Sequence, residues 1–251
     1  MNIIRCFLII ILIIITGCTK DKISGSDDSG DSNDSSSDSS ESAELIELSE
    51  IISNPSDQFI IDSDGLEKVY RAHPYKGAEE TCSHTGAHLI FTTEGAPYTV
   101  DVYAPVDGVI TQIRNCVDLE NGNDKYDILL EFANHQGSTV SLSFSLEPFG
   151  GYLCQDDENY YNQYIFVEEE QNVKKGDLIA QLYKPGGDTP STHICFSLSS
   201  ALANRMHCPN IFNASVVSDF ADVLGGETCD GDELGETLCY KPADGEDLTG
   251  L

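Results

Sequence analysis

Two short stretches concentrate the side chains of this chain that could do chemistry. Ser83-His84-Thr85-Gly86-Ala87-His88 carries two imidazoles, and Thr192-His193-Ile194-Cys195 places an imidazole and a thiol on one short apolar run. Imidazole changes its protonation near neutral pH and ligates metals, and a thiolate is both a nucleophile and a soft metal ligand. On residue type alone each stretch also has a plainer reading: polar residues near a strand start, and a buried thiol or half of a disulfide. The other histidines, His73, His135 and His207, have no partner spacing that lifts them above structural roles. Nine cysteines in 251 residues are too many for a comfortable cytosolic protein and indicate an oxidising compartment.

The elements that must position these residues are short. From about Ile46 onward, apolar or alternating runs are broken by Gly, Pro, Asn and Asp: Phe59–Ile61, His88–Phe91, Thr99–Tyr103, Gly108–Thr111, Asp127–Phe132, Ser138–Leu146, Tyr164–Val167, Leu178–Tyr183 and His193–Leu198. Strand-length runs at this spacing predict an all-β sandwich or barrel. Helices are expected only near Glu44–Ile52 and in Ala214–Val223. Two segments, Tyr103-Ala104-Pro105-Val106-Asp107-Gly108-Val109-Ile110 and Asn172-Val173-Lys174-Lys175-Gly176-Asp177-Leu178-Ile179-Ala180, each place a tight turn between strands. The length suits one domain of about 200 residues plus appendages. With 43 Asp+Glu against 13 Lys+Arg and a net charge of -30, most of the surface repels phosphate, so nucleic acid is excluded as a partner.

The first residues have a different texture. Arg5 is followed by an unbroken apolar run from Cys6 to Ile15, about half the length a bilayer span requires, as in the apolar region of a secretion signal. Ile15-Thr16-Gly17-Cys18 resembles the lipobox of bacterial lipoproteins, which implies lipidation of Cys18, a membrane anchor through the N-terminal lipid, and residues 1–17 as a lipoprotein signal peptide. Two or more acyl chains hold a protein stably on a membrane. Thr19 differs from the aspartate of the inner-membrane retention pattern, so outer-membrane or cell-surface display is expected. Ser24–Ser42 holds ten Ser, six Asp or Glu, two Gly and one Asn, a composition that cannot offset the entropy of ordering; residues 18–45 read as a disordered tether.

The two turn segments, as an ordered pair, resemble the barrel-sandwich hybrid folds. Among these the chain is similar to the lysostaphin-type zinc endopeptidases, peptidoglycan hydrolases with a duplicated hybrid motif. That family orders a His-x-Gly-x-Asp segment, an Ala-x-x-Asp-Gly turn, a Tyr-x-His-Leu strand, a Val-x-x-Gly-x-x-Ile turn and a strand ending His-x-His. Here Ser83–His88 stands first, with His88 where the aspartate belongs. Ser138–Leu146 takes the place of the Tyr-x-His-Leu strand, with Ser145 or Phe144 instead of its histidine. Pro190–Ser197 stands last, with Cys195 instead of the second histidine. The resemblance covers about residues 70–200. It implies His84, His88 and Cys195 as zinc ligands and His193 as a catalytic histidine whose partner is missing. Two histidines and one cysteine form a known three-ligand zinc set. One negative charge among the ligands is retained, so a bound metal could still acidify a water.

With Cys6 removed in the signal and Cys18 lipidated, seven of the nine cysteines remain, which leaves at least one unpaired unless there is an intermolecular bridge; Cys195 is the expected free thiol. Cys229 and Cys239 bracket an acidic loop and are the disulfide candidates. Residues 46–224 form the expected β domain and 225–251 an acidic tail. Two function classes follow. One is a lipid-anchored cell-envelope protein with a catalytically impaired endopeptidase-like domain that binds peptidoglycan or regulates a cell-wall hydrolase. The other is an active zinc endopeptidase cutting peptidoglycan cross-links through a His/His/Cys site.

Overall fold

The computed structural model describes residues 45–75, 86–119, 121–187, 191–200, 205–223 and 238. The described part is all-β with short helices, as the texture of the sequence predicts. Its strands are β1 (Ile46–Glu47), β2 (Val69–His73), β3 (Ala87–Phe91), β4 (Tyr98–Tyr103), β5 (Gly108–Asp118), β6 (Asp124–His135), β7 (Ser138–Glu147), β8 (Asn172–Val173), β9 (Leu178–Lys184), β10 (His193–Ser200) and β11 (Arg205–His207). Helices α1 (Leu48–Ser53), α2 (Ser63–Leu66) and α3 (Ala214–Asp222) and a 3-10 turn at Tyr160–Tyr164 complete it. The main sheet runs β2-β3-β10-β7-β6-β5-β8, and β4 pairs with β9 in a second sheet of two strands.

Alternation decides which face of each strand is core. In β7, Val140, Leu142, Phe144 and Leu146 are fully buried, and Ile194, Phe196 and Leu198 do the same in β10. A strand's side chains point to opposite faces in turn, so the intervening Ser143, Ser145, His193 and Cys195 share the other face of the sheet. Val100 and Val102 of β4 and Ala180 and Leu182 of β9 belong to the same core cluster as the apolar side of the main sheet. The Tyr126 hydroxyl ties the two sheets together, donating to the Gln181 carbonyl and accepting from the Tyr183 amide at 3.2 Å.

The two turns foreseen in the sequence meet each other. Gly176 N–H donates to the Ala104 carbonyl at 2.8 Å, and Ala104 N–H to the Asp177 carbonyl at 2.9 Å. Asp107 accepts from the Lys175 backbone N–H at 2.8 Å and pairs with Lys174 Nζ at 3.0 Å. These contacts hold its carboxyl below the usual range, the backbone N–H first. Gly108 is required here: a Cβ would lie 2.4 Å from the Glu131 carbonyl oxygen.

Two expected strands take other forms. Phe59–Ile61 is irregular, yet all three residues are buried, and the Phe59 ring meets those of Phe196, Phe212 and Phe220 edge-on with centroids 5.5–6.4 Å apart. It is core without a ladder because Asp62 at once caps α2, accepting from the Gly65 N–H at 2.8 Å. Tyr164–Val167 starts as the end of the 3-10 turn and makes a single bridge, Ile165 to Ala180. The helix expected over Ala214–Val223 is present as α3. Asn213 caps it by accepting from Ser215 and Val216 N–H groups at 3.1 Å, and it buries Val216 and Phe220 one turn apart.

Candidate functional site

Pairing brings the chemistry-bearing residues into one row across six strands. His73 of β2 lies opposite His88 of β3, His88 opposite Cys195 of β10, Cys195 opposite Ser145 of β7, Ser145 opposite Asp127 of β6, and Asp127 opposite Arg114 of β5. Paired residues share a sheet face, so this row lies on the polar side, away from Phe144 and Phe196. The same alternation separates positions 144 and 145: Phe144 is core, and Ser145 lies on the polar face opposite Cys195. In the next row His193 lies opposite Glu147.

At one end of the row sit the imidazoles. The His88 and His193 rings are 5.0 Å apart, and His73 is 6.5 Å from His88. Each inner imidazole is fixed by the chain just before it. Nδ1 of His88 meets the Gly86 carbonyl at 2.7 Å and Nδ1 of His193 the Ser191 carbonyl at 2.7 Å; a carbonyl only accepts, so both Nδ1 atoms donate and Nε2 points onward. Nε2 of His193 lies 3.4 Å from Glu147 Oε2. The Phe149 ring packs on His193 with centroids 5.3 Å apart, in a residue of left-handed backbone, φ 55°.

The centre of the row is an ion-pair network. Ser145 Oγ donates to Asp127 Oδ1 at 2.8 Å and accepts from Lys125 Nζ at 2.7 Å. Lys125 lies 3.2 Å from Asp127 and 3.7 Å from Glu147, and Arg114 donates from one guanidinium nitrogen to the other Asp127 oxygen. The Asp127 side chain is only 8% exposed, so its charge depends on these partners. Cys195 is a free thiol, as the odd cysteine count led us to expect. Burial, and then the negative charge of Glu147, push it up to about 12, against a smaller downward pull from Lys125. It is therefore protonated at neutral pH. Gly86 packs so closely on it that a Cβ there would sit 2.4 Å from Cys195 Sγ.

Of the residues singled out in the sequence, the structure brings together His88, His193 and Cys195. His84 lies outside the described residues, as do Cys18, Cys229 and Cys239. Among the described residues no three His, Cys, Asp or Glu side chains form a group able to hold a metal. Of the three residues that the resemblance implies as zinc ligands, His88 and Cys195 lie opposite each other on β3 and β10, and the third, His84, is the one outside the described residues. Lys125, Asp127, Glu147, Phe149 and Gly86 were not anticipated as site residues. The signal of Lys125, Asp127 and Glu147 was present only as polar residues alternating with the apolar ones of β6 and β7. A disulfide not foreseen, Cys116–Cys154, joins β5 to the loop after β7, with Cα atoms 5.8 Å apart. Cys208 is disulfide-bonded as well.

No family model matches the chain, and no curated protein matches it either. Among solved structures it is similar to the solution structure of lysostaphin, at 14% identity and a TM-score of 0.38, over 68% of this chain and 58% of that one. It is also similar to the structure of LytU, at 17% identity and a TM-score of 0.35, over 62% of this chain and 91% of that one. The chain thus spans less than two thirds of lysostaphin.

Proposed function

We propose that this is a lipid-anchored cell-envelope protein whose β domain is a divergent, catalytically impaired relative of the peptidoglycan endopeptidases. It binds peptidoglycan or regulates a cell-wall hydrolase. The order of the sequence motifs supports the relationship, and the lipobox-like Cys18 supports the anchor. The observation that carries the impairment is position 145. Hydrolysis of a peptide bond needs a donor placed where negative charge develops, and losing one costs about 10² to 10³ in rate. Ser145 cannot act as that donor because its proton is already committed to Asp127 and its oxygen to Lys125. His193 remains, held by the Ser191 carbonyl and facing Glu147. His135 cannot replace the missing group: it ends β6, eight residues from Asp127, about 27 Å along an extended strand.

The test incubates the full chain, purified in detergent, with dye-labelled peptidoglycan sacculi. The expected result is co-sedimentation with the sacculi and no dye release, with or without added zinc. Turnover within about tenfold of an authentic endopeptidase, abolished by His193→Ala, would restore the hydrolase, since loss of a positioned acid-base group costs about 10² to 10⁴.

A further inference from the structure

A cavity of about 660 Å³ lies away from the histidine row. Phe132 in its wall is five residues from Asp127 along β6, about 17 Å at the rise of a strand. Its volume falls in the range of small-ligand sites. Two kinds of element build it. Helix α1 and the residues beside it supply Ile46, Glu50, Ile51 and Asn54, and the interlocked turns supply Val106, Lys174 and Lys175.

The lining joins buried apolar side chains with exposed ones of both charges. Ile51, Val106 and Phe132 are buried, and Ile46 remains 47% exposed although it is a large aliphatic side chain at the cavity edge. Burying such surface stabilises a bound apolar group by about 25 cal/mol per Å². Glu50 and Asn54 are exposed on the helix side. On the turn side, Lys174 and Lys175 pair with Asp107 at 3.0 Å and Asp57 at 2.7 Å, with all four side chains largely in solvent. Exposed pairs of this kind are worth about 0–1 kcal/mol, so an incoming carboxylate can recruit either lysine at little cost. The backbone beneath them is rigid, because the two turns are hydrogen-bonded to each other.

We infer that this cavity is a ligand site for a short zwitterionic peptide with aliphatic side chains, its amino group at Glu50, its carboxylate at Lys174 and Lys175, and its side chains on Ile51, Val106 and Phe132. A nucleotide or other polyanion does not suit it, since Glu50, Asp57 and Asp107 outnumber the two lysines. A fully apolar ligand would leave the rim charges unused. The site does not depend on the histidine row or on the function proposed above.

The experiment is calorimetric titration of the full chain, in detergent, with the tripeptide Leu-Ala-Leu, its N-acetylated form and its C-amidated form. The free tripeptide is expected to saturate with a Kd below about 1 mM, and each blocked form to bind about two- to fivefold more weakly. Glu50→Gln should abolish the preference for a free amine, and Lys174→Ala with Lys175→Ala the preference for a free carboxylate. Asn54→Trp, at an exposed rim position, should fill the cavity and remove binding while the melting temperature stays within a few degrees. His193→Ala should change nothing. Absence of saturation, equal affinity for all three peptides, or undiminished binding in Asn54→Trp would overturn the inference.

Discussion

The Cys195 thiol offers the sharpest test of how the site is built. Its ordinary value is 9.0, and burial with Glu147 nearby pushes it up to about 12. Only a thiolate attacks iodoacetamide. At pH 8 the ordinary thiol is about one tenth ionised and this one about one part in 10⁴, so alkylation of folded Cys195 should be about 10³-fold slower than in the unfolded chain. Steric shielding would also slow it, and two further readings separate the causes. Between pH 9 and 11 the folded rate should keep rising about tenfold per unit, where an ordinary thiol levels off. Glu147→Gln removes an anion that raises the value and should speed alkylation; Lys125→Met removes a cation that lowers it and should slow alkylation further. The sign carries into stability: a proton kept by the folded state above pH 9 and lost by the unfolded one makes folding less favourable as pH climbs from about 9 towards 12. The assay is mass-spectrometric quantification of the Cys195 peptide after timed iodoacetamide pulses, native and in urea. A native rate at pH 8 within tenfold of the urea rate, or a plateau above pH 9, would refute the reasoning.

Asp127→Ala should cost about 1–3 kcal/mol by urea denaturation, because it removes the nearer carboxylate of the mostly buried Lys125 and leaves Glu147 as the acceptor of both Lys125 and the Ser145 hydroxyl; a loss under about 0.5 kcal/mol would place the network in solvent. Gly86→Ala should destabilise by about 1–3 kcal/mol through its clash with Cys195 Sγ, and Cys195→Ala in the same chain should recover part of that loss, whereas strictly additive effects would deny the contact. Phe59→Ala should cost about 3–5 kcal/mol despite lying in no strand, read from the same denaturation curves. Cys18→Ala should move the protein from the membrane to the soluble fraction on cell fractionation; unchanged partitioning would remove the lipid anchor.

What the sequence revealed, and what it withheld, follows from the range of each interaction. Alternation in Ser138–Leu146 and His193–Leu198 is local, and both became strands. The neighbours of Ser145 are not local: Cys195 and Asp127 are set opposite it by the register of β7 against β10 and β6, which no single segment encodes. The Lys125–Asp127–Glu147 network escaped for the same reason, since its members come from two strands whose polar positions looked like ordinary solvent-facing residues. Phe59–Ile61 has the composition of a strand but spends its apolar side chains on Phe196, Phe212 and Phe220 rather than on a ladder. Strand β2 went unread because Val69-Tyr-Arg-Ala-His73 lacks a clear alternation. The Cys116–Cys154 bridge joins residues 38 apart, and pairing among many cysteines cannot be read from their order.

The handshake between the two turns also constrains how the chain can be made. Asp107 waits for Lys174 and Lys175, 67 and 68 residues later, and β4 waits for β9, with Asp101 and Gln181 80 residues apart. Contacts this distant in sequence form slowly, because loop-closure entropy must be spent before any pairing offsets it. A chain emerging from the ribosome or a translocation pore would therefore carry Val100 and Val102 uncovered until β9 followed. During that interval β4 is a free, sticky edge, so a chain cut short before residue 178 should aggregate rather than persist as a smaller fold.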